Sequence, residues 1–464
     1  MTTRVAVVMA AGLGTRMRSD VAKVLHPALG RPMVRWVVDA VRAIDATPVV
    51  VLHHQADAVR TALQDTGARF ALQTEPKGTG DAVRSALTEC PTEGTVLVLS
   101  GDAPLVRPAT LLALEAAHAS SPGRKVTLVA AELDEPGAYG RVIEDDRGLR
   151  IVEAHEATPE QARVRRINTG TYAFDAAWLH AAIAALKPHP PKGELYLTDL
   201  VEQASRTGAA GVMVAIDAAE LMGVNDRWAL AEADRVLRLR QLEELARAGV
   251  SFEDPWTTRV EPDVRLERDV VVGAGVHLLG RTTVGARTRI GAHCVLEDMT
   301  VGPDVDILPL SHLQGSTVER GARVGPFARL REGAVIGAEA HIGNFVEVKR
   351  STVGARTKAH HLAYVGDGTV GAGTNIGAGT IFCNYDGFEK HPTVVGEGAF
   401  IGSNSTLVAP VTVGAGAVVG AGSVITQDVP AEAMSVARAP QDTRPGAAAR
   451  RRERRSKSKG SGGV

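Results

Sequence analysis

Cysteine is scarce in this sequence. The three copies, Cys90, Cys294 and Cys383, are widely separated and odd in number. They form neither a disulfide framework nor a zinc-binding spacing, and they suit a reducing, cytoplasmic setting. Long apolar runs are missing too: none approaches the roughly 20 residues that a membrane span requires. Val5–Ala11 behind Arg4 has the length of a short signal-peptide core. Arg16 and Arg18 follow at once, however, and the segment reads instead as a buried first strand. Net charge is nearly absent, at −1, but the balance hides an asymmetry. From Arg438 onward nine Lys and Arg face only Asp442 and Glu453, a local +7 that leaves about −8 for the rest. The final stretch, "RRRERRSKSKGSGGV", has no apolar period and many Gly and Ser. It is expected to be a disordered, solvated tail with no specific nucleic-acid partner.

What the chain does have is length. Its 464 residues exceed one ordinary domain, so two or three are expected. Through about residue 228, β-branched runs ending in small or polar residues ("VAVVMAAG", "PVVVLHH", "TVLVLSGD") alternate with segments of helical spacing such as 33–44 and 79–89. That alternation implies an α/β fold with a mainly parallel sheet, whose ligands gather beyond the carboxyl ends of the strands. Ala10–Met17, "AAGLGTRM", and Ser100-Gly101-Asp102 both sit at such ends. Residues 229–249 hold no proline and only a terminal glycine, which predicts one helix linking two halves.

After residue 260 apolar residues recur every six positions: Val272, Leu278, Val284, Ile290, Leu296, then, after a slip of one, Val301, Ile307, Leu313. Further runs are Val318, Val324, Leu330, Ile336, Ile342, Val348 and Val395, Ile401, Leu407, Val413, Val419, Ile425, many followed by Gly. A hexapeptide period marks a β-helix whose triangular coils each consume about three repeats, with the apolar residue inward. Coils of small residues account for an aromatic content of only 4%. The span "CNYDGFEKHPT", 383–393, interrupts the period and is expected to project as a loop.

The glycines of AAGLGTRM do not complete a dinucleotide fingerprint, because Met17 stands where the third glycine belongs. Arg16, Arg18 and Lys23 come instead. A glycine turn with close backbone N–H donors and added positive charge suits a polyphosphate rather than a nicotinamide. Asp102 ends an apolar strand, where a metal-binding carboxylate belongs in this fold class, although an aspartate there also fits a plain turn after a strand. Glu153, Asn168 and Asn225 alone fit turns or caps equally well. In the second half, "HHLAYVGD" at 360–367 sets His360, His361 and Tyr364 where the repeat falters, with Ala359 in the inward slot. Glu347 and Lys349 come one coil earlier, and Asn384-Tyr385 lie in the loop. Adjacent residues of an extended chain point to opposite sides, so the two histidines are not expected to share one zinc ion. Transfer of an acyl group to an amine needs a base, and histidine's ordinary pKa near 6.5 suits the task.

In this order the motifs resemble those of the bacterial bifunctional N-acetylglucosamine-1-phosphate uridyltransferase/glucosamine-1-phosphate N-acetyltransferase family, over residues 3 to about 440. The resemblance implies a Rossmann-like α/β nucleotidyltransferase domain over 1–228 and a linker helix over 229–250. A left-handed parallel β-helix acetyltransferase domain over 251–437 and the basic tail 438–464 would follow. It implies Met9, Ala10, Ala11, Gly12 and Lys23 along the nucleotide phosphates, and Gln73, Gly78 and Thr79 at the uracil, where an amide can both donate and accept. Asp102 and Asn225 match magnesium ligands. Ser100 and Gly101 fall in the same substrate segment, and Gly140, Glu153 and Asn168 match the sugar positions. Arg16 and Lys23 would orient the triphosphate of UTP for attack on its α-phosphorus.

In the second domain the resemblance makes His361 the base, rather than His360. Arg331, Lys349, Tyr364 and Asn375 match glucosamine-1-phosphate contacts. Ala378, Asn384, Tyr385, Ser403, Ala421 and Arg438 match acetyl-CoA contacts, with the Ala378 N–H at the oxyanion. A homotrimer is implied, since such sites lie between neighbouring chains. The family often has proline before the lysine and tyrosine before Gly101-Asp102, where this chain has Ala22 and Ser100. Two other readings remain: a single-activity sugar-1-phosphate nucleotidyltransferase with a regulatory β-helix, and a non-enzymatic scaffold built from the same two domains.

Overall fold

The computed structural model of the protein describes residues 4–12, 14–191 and 193–460. Leu13 of the glycine turn and residues 461–464 of the tail lie outside them. The chain forms two compact units, Met1–Glu243 and Glu244–Val464. Among the described residues no helix is long and apolar enough to cross a membrane.

The first unit is built on one sheet. Its strands lie in the order Ala210–Val214, Val126–Glu132, Arg166–Asp175, Thr95–Ser100, Val5–Met9, Thr47–Leu52, Arg69–Leu72. Val5–Met9 is parallel to both neighbours. Arg166–Asp175 departs from the expected parallel pattern, running antiparallel to the strands on either side. The strands are apolar at successive positions because both faces are covered. Val5 and Val7 pack with Val96, Val98, Phe174 and Leu179 on one face; Ala6 and Val8 pack with Val38, Leu52, Leu97 and Leu111 on the other. Met9 pairs with Ser100, so the glycine turn and the Asp102 turn leave the sheet side by side.

The predicted linker helix is present as Arg227–Arg247, but it is more than a linker. Ala233 and Leu237 are buried in a cluster with Ala28, Leu29, Met33, Leu105 and Val224. The first domain therefore runs beyond residue 228, because these helical turns belong to its core.

The second unit is a left-handed β-helix of three parallel sheets with eleven, ten and nine short strands. Residues one coil apart pair directly: Val272 with Ile290, Ile290 with Ile307, Val324 with Ile342, Ile342 with Ala359. The apolar residue of every hexapeptide named above is buried. The slip of phase marks a coil of seventeen residues instead of eighteen, as between Ile290 and Ile307. The 383–393 loop leaves the coil between Ile381–Cys383 and Thr393–Val395 and closes on a Tyr385–Lys390 bridge. The tail, expected to lack structure, contains the helix Ala447–Gly460. Its Ala, Arg and Lys are good helix formers, and none of its side chains described, through Ser456, is buried.

Two candidate active sites

In the first unit the strand ends open into a cavity of about 380 Å³. Met9, Ala11, Gly12, Arg16, Lys23, Gln73, Gly78, Thr79, Ser100, Asp102 and Asn225 line it. Ala10 and Gly101 do not: Ala10 is buried in the core under the first strand, and the Gly101 N–H is bound to the Met9 carbonyl at 2.9 Å. Both shape the wall from behind. A second cavity of about 290 Å³ is lined by Gly140, Glu153 and Asn168. The two cavities share Arg16, Ser100, Asp102 and Asn225. Tyr139 of the second cavity and Glu194 of the first went unnoticed in the sequence.

At this junction the Lys23 ammonium touches Asp102 Oδ2 and donates to Asn225 Oδ1 at 2.8 Å, and Arg16 donates to the same amide oxygen at 2.8 Å. Ser100 Oγ donates to the other carboxylate oxygen, Asp102 Oδ1, at 2.7 Å. Two hard oxygens from distant turns thus converge on a point that already accommodates a positive charge. A divalent cation fits that donor set, completed by water and phosphate oxygens.

Gln73 Nε2 donates to Asp81 at 2.8 Å and to the Gly78 carbonyl at 3.3 Å. Its donor half is spent inside the protein, so Oε1 is what it offers a ligand, a narrower role than the sequence suggested. Gly78 has a positive φ of 89°, and a Cβ there would lie 2.6 Å from the Leu195 carbonyl oxygen. Only glycine lets this segment lie against 194–197. In the sugar cavity burial raises the Glu153 carboxyl above its ordinary 4.5, and Asn168 donates to the buried Tyr172 hydroxyl at 2.7 Å.

In the second unit His361 ends the strand Lys358–His361 and pairs in register with Asn344, one coil earlier. Asn344 Oδ1 and His361 Nδ1 are 2.9 Å apart. As assigned, the amide oxygen accepts from Nδ1–H, which leaves Nε2 as the free base. Gly343 permits the approach, since a Cβ there would overlap the His360 carbonyl oxygen. His360 and His361 do not point to opposite sides: both are exposed, with rings edge-to-face and centroids 6.0 Å apart. The chain turns a corner here, with Leu362 at φ 47°. A cavity of about 240 Å³ beside them is lined by Arg323, His341 and Asn344.

Arg331 pairs with Lys349 across adjacent coils, and Glu347 with Tyr364, so these four share one sheet. Asn375 lies on a different sheet, in register with Lys358. Arg331 bonds Glu347 at 2.9 Å. Desolvation, then the charges of Arg331, Lys390 and Arg350, lowers the Lys349 ammonium below its ordinary 10.5. Lys390, on the loop, is a cation of this site that the sequence reading missed. Ala378, Ser403, Ala421 and Arg438 follow one another on successive coils: Asn404 N–H bonds the Ala378 carbonyl at 2.7 Å, Gly422 N–H bonds that of Ser403 at 2.8 Å, and Arg438 bonds that of Ala421 at 2.5 Å. Asn384 is 7% exposed and tied to Asp367, itself paired with Arg350, so its side chain braces the loop. Tyr385 is exposed.

Leu310, Phe327, Phe345 and Leu362 repeat once per coil at one corner, each with positive φ and each exposed by 44–60%. The two phenyl rings stack at 5.1 Å. Bulky side chains rarely adopt this backbone conformation, and here four of them form an exposed apolar ridge. It ends beside His361.

Comparison with known proteins agrees with this division. Residues 6–170 match the family described as MobA-like NTP transferase domain, residues 263–298 the bacterial transferase hexapeptide (six repeats), and residues 392–427 the hexapeptide repeat of succinyl-transferase. The bifunctional protein GlmU of Sorangium cellulosum is 44% identical over 459 residues, covering 97% of each chain. Those of Anaeromyxobacter sp. and Enterococcus faecalis are 47% and 44% identical, covering 96% of this chain and 93% and 98% of theirs.

Proposed function

Because the chain belongs to the family of bifunctional GlmU proteins, we propose that it makes UDP-N-acetylglucosamine, a cell-wall precursor, in two steps. The second unit acetylates glucosamine-1-phosphate with acetyl-CoA, and the first transfers UMP from UTP to the product, releasing pyrophosphate. The observation that carries this reading is the junction of the two first-unit cavities. A nucleotide in one and a sugar phosphate in the other would meet at Arg16, Asp102 and Asn225.

There, Arg16 and Lys23 orient the triphosphate while an oxygen of the sugar phosphate attacks the α-phosphorus and pyrophosphate leaves in line. Asp102 and Asn225 would hold magnesium, which neutralises charge developing on the phosphate oxygens. Gln73 Oε1 accepts from the uracil N3–H, a donor that cytosine lacks. Glu153, Asn168 and Gly140 hold the sugar.

In the second unit His361 Nε2 removes a proton from the substrate amine as the nitrogen attacks the thioester carbonyl. The Ala378 N–H, which makes no backbone hydrogen bond among the described residues, receives the oxyanion. Collapse expels the CoA thiolate, which takes the proton back from His361. Arg331, Lys349, Tyr364 and Asn375 bind the phosphosugar; Asn384, Tyr385, Ser403, Ala421 and Arg438 bind the CoA. The apolar ridge supports a homotrimer whose subunits meet beside His361, and the cysteine usage supports a cytoplasmic location.

The test is to mix the purified protein with glucosamine-1-phosphate, acetyl-CoA, UTP and magnesium and follow thiol and pyrophosphate separately. Thiol release should proceed without UTP, and pyrophosphate release should stop without acetyl-CoA. Equal pyrophosphate in both cases would break the two-step reading.

A further inference from the structure

Ser100 stands where the family often has tyrosine; it lines both cavities, and its hydroxyl is bonded to Asp102 at their junction. We propose that Ser100 is a positioning residue for the metal-binding carboxylate. Its hydroxyl holds Asp102 Oδ1 so that Oδ2 alone is presented to the cation. This rests on the reading of Asp102 as a metal ligand.

Three constraints act on that carboxylate. Ser100 closes the strand Thr95–Ser100 in register with Met9, so its hydroxyl projects from a fixed backbone, and the bond to Oδ1 is 2.7 Å. The Val224 N–H holds the Asp102 carbonyl at 2.8 Å. Gly223 lies against the carboxylate, where a Cβ would sit 3.3 Å from Oδ1 and 3.6 Å from Oδ2. The backbone contacts fix where the carboxylate is, and two side chains set which way it turns, Lys23 on Oδ2 and Ser100 on Oδ1. Without that hydroxyl, Oδ1 loses its partner, and once Lys23 leaves Oδ2 for the phosphates no protein side chain holds the turn of the carboxylate. With it, Oδ2 stays aimed at the shared point when Lys23 moves to the phosphates. Groups that orient a metal ligand through a hydrogen bond typically set affinity by about 10–100-fold.

The experiment measures Mn2+ in the ternary complex of full-length protein with UTP, by water-proton relaxation enhancement, with no sugar phosphate present. Ser100→Ala should weaken Mn2+ binding about tenfold, Ser100→Thr should restore it, and Ser100→Val, which has threonine's shape without its hydroxyl, should not. The Thr/Val pair decides the matter if the alanine variant folds poorly. Acetyl transfer by the same chain reports folding. Wild-type Mn2+ affinity in both Ser100→Ala and Ser100→Val, with binding lost in Asp102→Asn, would overturn the proposal. Wild-type affinity in Asp102→Asn would instead overturn the metal assignment beneath it.

Discussion

The two units reach a working site by opposite routes. In the first, residues 16, 23, 73, 102, 140, 153, 168 and 225 come from separate short helices, turns and strands, and the fold alone brings them together. In the second, neighbours in space are neighbours in the period: Asn344 and His361 are seventeen residues apart, Arg331 and Lys349 eighteen. A sheet with crossovers converts long sequence separations into contact at its carboxyl edge, whereas a solenoid converts a fixed separation into a row. The first route allows carboxylate, amide, lysine and arginine to surround one point. The second lays residues one coil apart side by side, which puts Arg331 next to Lys349; Arg350, the following residue, and Lys390 of the loop add their charge.

If each site is self-contained, single substitutions should divide the activities cleanly. The largest effect is expected from His361→Ala, which removes the proposed general base and should lower acetyl transfer by about 10³–10⁴-fold while uridylyl transfer to supplied N-acetylglucosamine-1-phosphate stays within about twofold of wild type. Thiol and pyrophosphate assays on one preparation check both. Asp102→Asn is the mirror image. It keeps the shape but removes the one negative charge that the pair Asp102 and Asn225 would present to the cation, with a loss of about 10³-fold in pyrophosphate release, equivalent to about 4 kcal/mol, and intact acetylation. Equal losses in both assays from either variant would mean that the units do not work independently.

The same contrast decides what could be read from sequence. The β-helix was legible because its period is the structure: each inward residue from Val272 to Ile425 is where the spacing put it. Asn344 was missed although the signal existed, one coil before His361, and the ridge of Leu310, Phe327, Phe345 and Leu362 follows the same step. In the first unit the strands were legible as apolar runs, but their direction was not. Arg166–Asp175 is antiparallel, and its pairing with Val126–Glu132 shifts register between Asn168 and Tyr172, a feature that composition does not encode. Asp102 and Asn225 lie more than a hundred residues apart, and only resemblance to a family paired them. The helix Arg227–Arg247 was legible as a helix, yet nothing in its pattern told that Ala233 and Leu237 pack into the first unit's core.

A smaller effect tests whether coil spacing, rather than any one functional group, sets the second site. Gly343→Ala adds one methyl group against the His360 carbonyl. Overpacking of this sort costs about 1–3 kcal/mol, and the coils carrying Asn344 and His361 must separate to relieve it. Acetyl transfer should fall by about tenfold at saturating substrate, with a lowered melting temperature for the second unit and unchanged pyrophosphate release. A variant with full acetylation would show that the coils yield elsewhere and that the Asn344–His361 contact is not held by their spacing.

The smallest expected effect concerns the crowding itself. Lys349 is held below its ordinary 10.5, first by desolvation and then by Arg331, Lys390 and Arg350. A lysine so shifted loses its charge at a lower pH than an isolated one, so KM for glucosamine-1-phosphate should begin to rise on the alkaline side before an unperturbed lysine would titrate. Arginine stays protonated throughout this range. Lys349→Arg should therefore flatten the rise, by about three- to tenfold in KM at the most alkaline pH the protein tolerates, while the pH dependence of kcat keeps its shape. If KM climbs identically in both proteins, the alkaline loss belongs to another group, and the cluster of cations around Lys349 has no functional cost for phosphate binding.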